Sequence, residues 1–204
     1  MSFTGIFKAN DGIFAITDSK ASKKENDQWV EDFQRNPEKL FPFVNGVAVT
    51  YGSNQILTQN PHQIFSKKIN LEDFVYSYLS NHPSLDSAFF QELLVKINSN
   101  PVNQEPINFL IGRKIRAGQY LLEHHQIGYQ YYVQKILPET NFFVTGGCNL
   151  YCQVFDQMDS LTHITSVKIL QKYVASRLDQ MIQFYDDILS YNPVGGNIKS
   201  YIFA

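Results

Sequence analysis

The sequence has few cysteines and no long apolar run. Two cysteines among 204 residues are too few for a disulfide framework. No apolar run approaches the roughly 20 residues that a membrane-spanning helix needs, so we expect no membrane association. Residues 1–14, MSFTGIFKANDGIF, lack a basic segment followed by an apolar one. This predicts no secretory signal and a cytoplasmic protein.

An excess of charge of one sign is also missing. The chain has 17 basic and 19 acidic residues and a net charge of −2, so we expect no nucleic-acid partner. It contains no zinc signature, phosphate-binding loop or dinucleotide fingerprint. We therefore expect neither a metal nor an organic cofactor.

Apolar residues, in contrast, are plentiful. The sequence is 44% hydrophobic and 14% aromatic, which is enough for a sizeable core and excludes global disorder. A chain of 204 residues fits one domain. We therefore predict a single domain over residues 1–204.

Two tight turns predict β-hairpins in the N-terminal quarter of the chain. Asp11-Gly12 and Asn45-Gly46 each lie between two apolar runs, and such pairs supply the positive φ angles that short hairpin turns need. The polar stretch 21–38 separates the hairpins and holds the only tryptophan. We expect this stretch to be an exposed excursion.

Helical and strand patterns alternate in the rest of the chain. Apolar residues at helical spacing predict a helix over 71–79 with Asn70 as N-cap, and further helices over 86–97, 149–158 and 163–189. Strand patterns cover 107–111, 119–124, 128–133, 142–145 and 198–203. Strand blocks alternating with helix pairs predict an α+β fold, with two antiparallel sheets face to face and helix pairs on both outer faces.

Four segments, in this order, resemble the proteasome β-subunit group of N-terminal-nucleophile hydrolases and the bacterial proteasome-like peptidases. The segments are DGIFAITDSKAS (11–22), KLFPFVNGVAVTYGS (39–53), FFVTGGCNLYCQVFD (142–156) and VGGNIKSYIF (194–203). The resemblance implies a four-layer αββα sandwich and hydrolysis of peptide or other amide bonds without a cofactor. It also implies, by analogy, a homo-oligomeric ring.

The resemblance further implies a catalytic residue set. Ser2, exposed by removal of Met1, would be the nucleophile, and its α-amine, with an intrinsic pKa of roughly 8, would be the base. Ser2 precedes Asp18 by 16 residues, the separation that the group uses. Lys39 would promote loss of the hydroxyl proton, and Asp18 would hold Lys39 charged and oriented.

Supporting positions follow from the same resemblance. A backbone N–H near Gly52 or Ser53 would stabilise the oxyanion of the tetrahedral intermediate. Lys20 stands where the group usually has arginine. The lysine keeps the positive charge but lacks the planar bidentate geometry of a guanidinium. Thr145 or Gly146 stands where a supporting serine is usual.

Two departures keep a second interpretation open. The loop before Lys39 is longer than in the group, and Tyr191 and Val194 stand near the positions of its late Asp and Ser. A catalytically inactive member that serves assembly or partner binding is the alternative. Read singly, Ser2 and Asp18 are also ordinary choices for a chain start and a turn.

The cysteines and a histidine pair give weaker signals. Cys148 follows Gly-Gly at a predicted helix N-terminus, where the helix dipole favours a thiolate, and Cys152 lies one turn further on. They are candidates for a reactive thiol or half a metal site, or else small packing residues. His124 and His125 should point to opposite faces of a strand, which disfavours a shared metal.

Overall fold

The N-terminal hairpin forms the middle of a four-stranded antiparallel sheet in the computed structural model, which describes residues 2–26, 28–58, 67–100, 105–138 and 140–204. Ala9 pairs with Gly12 across the predicted turn. In sheet order the strands are β12 (Phe142–Gly147), β1 (Phe3–Ala9), β2 (Gly12–Thr17) and β13 (Lys199–Phe203). Strands β1 and β2 are buried along their whole length, as expected for strands covered on both faces.

A second antiparallel sheet has five strands. In sheet order they are β11 (Tyr131–Ile136), β10 (Gln119–Ile127), β9 (Ile107–Arg116), β6 (Gly46–Gly52) and β5 (Leu40–Phe43). The predicted hairpin is present, but Phe43 pairs with Gly46. Its turn residues are therefore Val44 and Asn45, one position earlier than expected, and the expected positive φ is absent there. Strands β9 and β10 extend beyond the predicted 107–111 and 119–124. The ladder continues through Arg113, which pairs with Leu121, and at its other end Ile107 pairs with Ile127.

Two short hairpins lie outside these sheets. They are β3 (Ser22–Glu25) with β4 (Gln28–Glu31), and β7 (Gln55–Thr58) with β8 (Lys67–Asn70). The first lies within the predicted exposed excursion over 21–38 and shows that part of it is a paired hairpin. Its base is closed by a hydrogen bond from Asp32 N to Ala21 O (3.0 Å), so its polar residues pair through their backbones.

The described helices are α1 (Leu71–Leu79), α2 (Ser87–Asn98), α3 (Asn149–Asp156), α4 (Val167–Ile188) and a 3₁₀ turn (Asp159–His163). Helix α4 begins at Val167 rather than at 163, because Asp11 from the β1–β2 turn accepts the N–H of Val167 (2.6 Å). Asn70 occupies the N-cap of α1 but donates to Asp73 instead of capping. Within the described residues no helix is long and apolar enough to cross a bilayer.

Buried apolar side chains of the described residues form three clusters. One lies between the sheets, where Ile6 and Ile13 of the first sheet share a cluster with Val47, Val49 and Leu110 of the second. The second joins α1 and α2 to the five-stranded sheet. The third joins α3 and α4 to the four-stranded sheet. The predicted combination of helices with antiparallel sheets is confirmed. The stacking of the sheets and helices in four layers stays a prediction.

Candidate active site

Ser2 lies at the start of the central strand β1 and is buried (5% exposed). Its carbonyl oxygen accepts the N–H of Cys148 (2.6 Å), one residue beyond the Phe3–Gly147 pair. Strands β2 and β12 hold β1 from both sides. The position of Ser2 is therefore fixed by backbone hydrogen bonds, while Met1 lies outside the described residues.

Asp18 follows directly after β2 and is fully buried. The hairpin returns it to the start of β1, where Phe3 N donates to Asp18 Oδ1 (3.0 Å) and Asp18 N donates to Phe3 O (3.1 Å). The tight turn at Asn10-Asp11, one residue earlier than predicted, accounts for this approach, because it sets the register in which Thr4 pairs with Thr17. Asp18 thus contacts the residue next to Ser2.

Lys39 reaches the same carboxylate from the other sheet. It precedes β5, and its carbonyl accepts the N–H of Thr50 (2.9 Å). Its Nζ lies 3.2 Å from Asp18 Oδ1 and 2.8 Å from Lys20 O. The structure therefore brings together Ser2, Asp18 and Lys39, three residues that are far apart in sequence.

The Asp18–Lys39 pair is almost completely removed from water. Burial lowers the pKa of Lys39, and the charge and hydrogen bond of Asp18 oppose that shift. Burial likewise raises the pKa of Asp18, against the opposing charge of Lys39 and the N–H donors of Phe3 and Gly195. The Lys39 ammonium is therefore a better proton donor than a solvated one, while the carboxylate keeps it in place.

A cavity of about 140 Å³ opens at this position. Five of the predicted site residues line it, namely Ser2, Lys20, Lys39, Gly52 and Ser53. Ser22 and Trp29 of the β3–β4 hairpin also line it. Asp18 supports this cavity from behind through its bonds to Phe3 and Lys39.

The two candidate oxyanion donors differ in availability. Ser53 N already donates to Pro106 O (3.3 Å). The N–H of Thr50 points toward β5, where Lys39 O accepts it, and the N–H of Gly52, two residues on, points to the same side of the strand. Gly52 has φ +92°, and a Cβ there would lie 2.2 Å from Pro106 O. The Ser53 N–H is therefore already engaged, whereas the Gly52 N–H points away from Pro106.

Thr145 and Gly146 do not lie next to Ser2. The β1–β12 register places Thr145 opposite Gly5 and Gly146 opposite Thr4. The Thr145 hydroxyl bonds Asp156 (3.4 Å). This register therefore places neither Thr145 nor Gly146 beside Ser2, where support was expected. The sequence alone does not show the register of β1 and β12.

Gly147 is the neighbour of Ser2 that the sequence analysis missed. It has φ +100°, and a Cβ at this position would lie 1.9 Å from Ser2 O. Only glycine allows this approach without moving the backbone. In the sequence, the Gly146-Gly147 pair at the end of a predicted strand is the signal for such a position. It was interpreted only as a break before a helix.

The C-terminal Gly-Gly segment supports Asp18 through its backbone. Gly195 N donates to Asp18 Oδ2 (3.2 Å). Tyr191 directs its hydroxyl to Ser22 (2.6 Å), and Val194 is buried in the core. Tyr191 and Val194 therefore offer neither a carboxylate nor a free hydroxyl to an amine at Ser2.

Lys20 is held in place by two interactions. Its carbonyl accepts from Lys39, and its Nζ forms an ion pair with Glu31 of β4 (3.1 Å). The lysine that replaces the expected arginine therefore bridges the cavity and the β3–β4 hairpin.

The two cysteines pack against the core. Cys148 is buried in the cluster beneath α3 and α4, and its N–H is the group that contacts Ser2. Burial raises the pKa of the Cys152 thiol, which disfavours a reactive thiolate.

His124 and His125 lie on opposite faces of β10, as predicted. His124 bonds Tyr51 (3.0 Å) between the sheets, whereas His125 stacks on Phe90 on the helical side. Among the residues that the structure describes, no group of three or more His, Cys, Asp or Glu side chains is arranged to hold a metal ion.

The fold is that of solved proteasome-like proteins. No protein-family model matches the chain, and no curated protein matches its sequence. Anbu (ancestral beta-subunit) from Yersinia bercovieri superposes with a TM-score of 0.60 at 15% identity, over 98% of this chain and 80% of that one. Anbu from Hyphomicrobium sp. strain MC1 gives 0.51 at 13% identity, over 98% and 81%. The Gly-1 mutant of Anbu from that strain gives 0.52 at 13% identity, over 100% and 82%. At these identities the likeness establishes a shared fold.

Proposed function

We propose that this chain is a proteasome-like N-terminal-nucleophile hydrolase that cleaves peptide or other amide bonds, with Ser2 as nucleophile. One observation carries the proposal. Ser2 and Lys39 line the same small cavity, and the buried Asp18 binds both Lys39 and the N–H of Phe3. Buried charges of this kind are costly unless they are paired, and such pairs are concentrated at functional sites.

The proposal includes the architecture and the assembly. Residues 1–204 form one domain, and the two sheets with their outer helices form a four-layer αββα sandwich. The three core clusters and the coverage of 98% of the chain by the Yersinia structure support this. We further propose a cytoplasmic protein that forms a homo-oligomeric ring.

The reaction begins once Met1 has been removed. The α-amine of Ser2 takes the proton from the Ser2 hydroxyl as Oγ attacks the carbonyl carbon of an amide. The resulting oxyanion accepts the N–H of Gly52, a contribution of roughly 3 kcal/mol in comparable sites. The C–N bond then breaks, the amine departs with the proton, and water hydrolyses the remaining ester to release the acid and restore Ser2.

Lys39 assists this sequence by its charge. Its ammonium stabilises the developing alkoxide of Ser2, and its pKa, lowered by burial, makes it a stronger hydrogen-bond donor. Asp18 orients Lys39 and does not itself react. No metal or organic cofactor enters any step.

A catalytically inactive subunit is the second candidate, and one observation favours it. Tyr191 and Val194 provide no carboxylate or hydroxyl for the α-amine of Ser2. In that case the fold would serve assembly or partner binding.

Hydrolysis by protein that begins at Ser2 tests the proposal. We expect the protein to cleave members of a fluorogenic peptide and amide library, and Ser2→Ala to abolish cleavage with an unchanged unfolding transition. Ser77→Ala, a surface change on α1, is the matched control and should keep full activity. No cleavage by correctly processed, folded protein would leave the inactive subunit as the better account.

A further inference from the structure

The β3–β4 hairpin separates the Ser2 cavity from a larger groove. Trp29 of β4 lines both spaces. The cavity at Ser2 has a volume of about 140 Å³, and the groove on the other side of the hairpin has about 860 Å³. The groove falls within the size range of sites that hold substantial ligands, whereas the cavity is smaller than that range.

The groove presents aromatic side chains to solvent. Phe33 is 87% exposed and Trp29 is 38% exposed, and both line the groove together with Tyr191 and Pro193. Exposed aromatic residues gathered in one concave surface are typical of a binding site rather than of a solvated loop. The packing of the described residues leaves the Phe33 ring uncovered.

The hairpin is attached to the catalytic end of the molecule. Lys20 forms an ion pair with Glu31 (3.1 Å) and lies over the Tyr191 ring (5.1 Å), while Ser22 bonds the Tyr191 hydroxyl (2.6 Å). The groove is therefore held beside Ser2 by the same residues that line the cavity. An extended chain whose scissile bond lies at Ser2 would pass Trp29 to enter it.

We infer that the groove binds large apolar side chains of a peptide substrate, while the cavity at Ser2 accepts only small residues beside the cleaved bond. This inference rests on the proposed function, and it names the substrate class. The charges that line the groove, Lys23, Glu25 and Glu31, belong to ion pairs within the protein, so the aromatic rings are its main binding surface. Selection by one apolar side chain would then come from the groove and not from the cavity.

The single tryptophan gives a direct measurement. Trp29 is the only one in the sequence, so tryptophan fluorescence reports on the place where the groove meets the cavity, and the Phe33→Ala variant shows whether the groove causes the change. The first probe is a blocked hexapeptide with phenylalanine at both ends and alanine at the four positions between them. The second is the corresponding hexapeptide of six alanines. They are titrated into the Ser2→Ala protein, so that no turnover intervenes.

We expect the phenylalanine peptide to change Trp29 fluorescence and to bind at least tenfold more tightly than the alanine peptide. Phe33→Ala should weaken its binding about tenfold, because a buried aromatic contact is lost. Tyr132→Ala is the matched control. This exposed aromatic residue lies on β11, at the opposite edge of the five-stranded sheet from β5, and its loss should change nothing.

The outcomes separate the inference from the proposed function. Equal binding of the two peptides, no binding of either, or a Phe33→Ala protein that binds normally would overturn the inference. Selective binding in the groove by a protein that cleaves nothing when it begins at Ser2 would support the inference and contradict the proposed hydrolysis.

Discussion

The carboxylate of Asp18 bonds the ammonium of Lys39 (3.2 Å) across the space between the two sheets. The same oxygen accepts the N–H of Phe3, and the other oxygen accepts the N–H of Gly195. One buried side chain thus joins the start of the chain, the second sheet and the C-terminal segment. This arrangement places Ser2 and Lys39 at one cavity.

Asp18→Ala should lower the free energy of unfolding by about 3–5 kcal/mol, because it leaves the buried Lys39 ammonium without an opposite charge. It also removes the acceptor of two N–H groups. Urea unfolding measures the loss. In Asp18→Ala/Lys39→Met, part of the stability should return, since no uncompensated charge remains. A double variant no more stable than Asp18→Ala would show that the charge pair is not the cause.

Gly147→Ala should abolish hydrolysis and destabilise the protein, because its Cβ would meet Ser2 O at 1.9 Å. Gly118→Ala is the matched control. Gly118 also has a positive φ (+72°), but nothing lies within 4 Å of an added Cβ. Its cost should be limited to backbone strain of about 1 kcal/mol. Activity and unfolding of both variants test this, and equal losses would contradict the role of the close contact.

Local sequence signals predicted much of this site. The Asp11-Gly12 turn and the apolar runs on either side predicted the hairpin, and that hairpin alone brings Asp18 back to Phe3. Asn45-Gly46 predicted β5 and β6 in the same way. The position of a turn between two strands is a short-range signal that the sequence displays. The turn geometry itself differs, because Gly12 and Gly46 pair within the strands and have no positive φ.

Long-range register was not predictable. The residue opposite Ser2 is Cys148 instead of Thr145 or Gly146, because β12 pairs with β1 from more than a hundred residues away and no turn sets that pairing. The start of α4 depends on Asp11, a residue of another element. The β3–β4 hairpin is polar and lacks the alternating pattern that identifies a half-buried strand.

Glu123→Gln should reduce stability at neutral pH more than at acidic pH. Burial by itself would raise the pKa of Glu123, but the neighbouring His125 ring and the Arg113 guanidinium outweigh it and hold the pKa well below its usual 4.5. The stabilisation is therefore present above pH 4.5 and is lost as the pH falls below that value toward the folded-state pKa.

Unfolding at a series of pH values from 7 to 3 checks this pH dependence. The difference between the natural protein and Glu123→Gln should shrink steadily below pH 4.5. Glu92→Gln, on an exposed helical pair with Lys96, is the control and should show little difference at any pH. A Glu123→Gln difference that stays constant over the range would contradict the account.

The mass of the natural N-terminus, measured after labelling, shows whether Ser2 is the nucleophile. The intact protein from its native source is treated with an acylating serine probe and measured by mass spectrometry. The account predicts a chain that begins at Ser2 and carries one adduct, which is located on Ser2 and is absent from Ser2→Ala. A chain that keeps Met1, or that carries no adduct on Ser2, would contradict it.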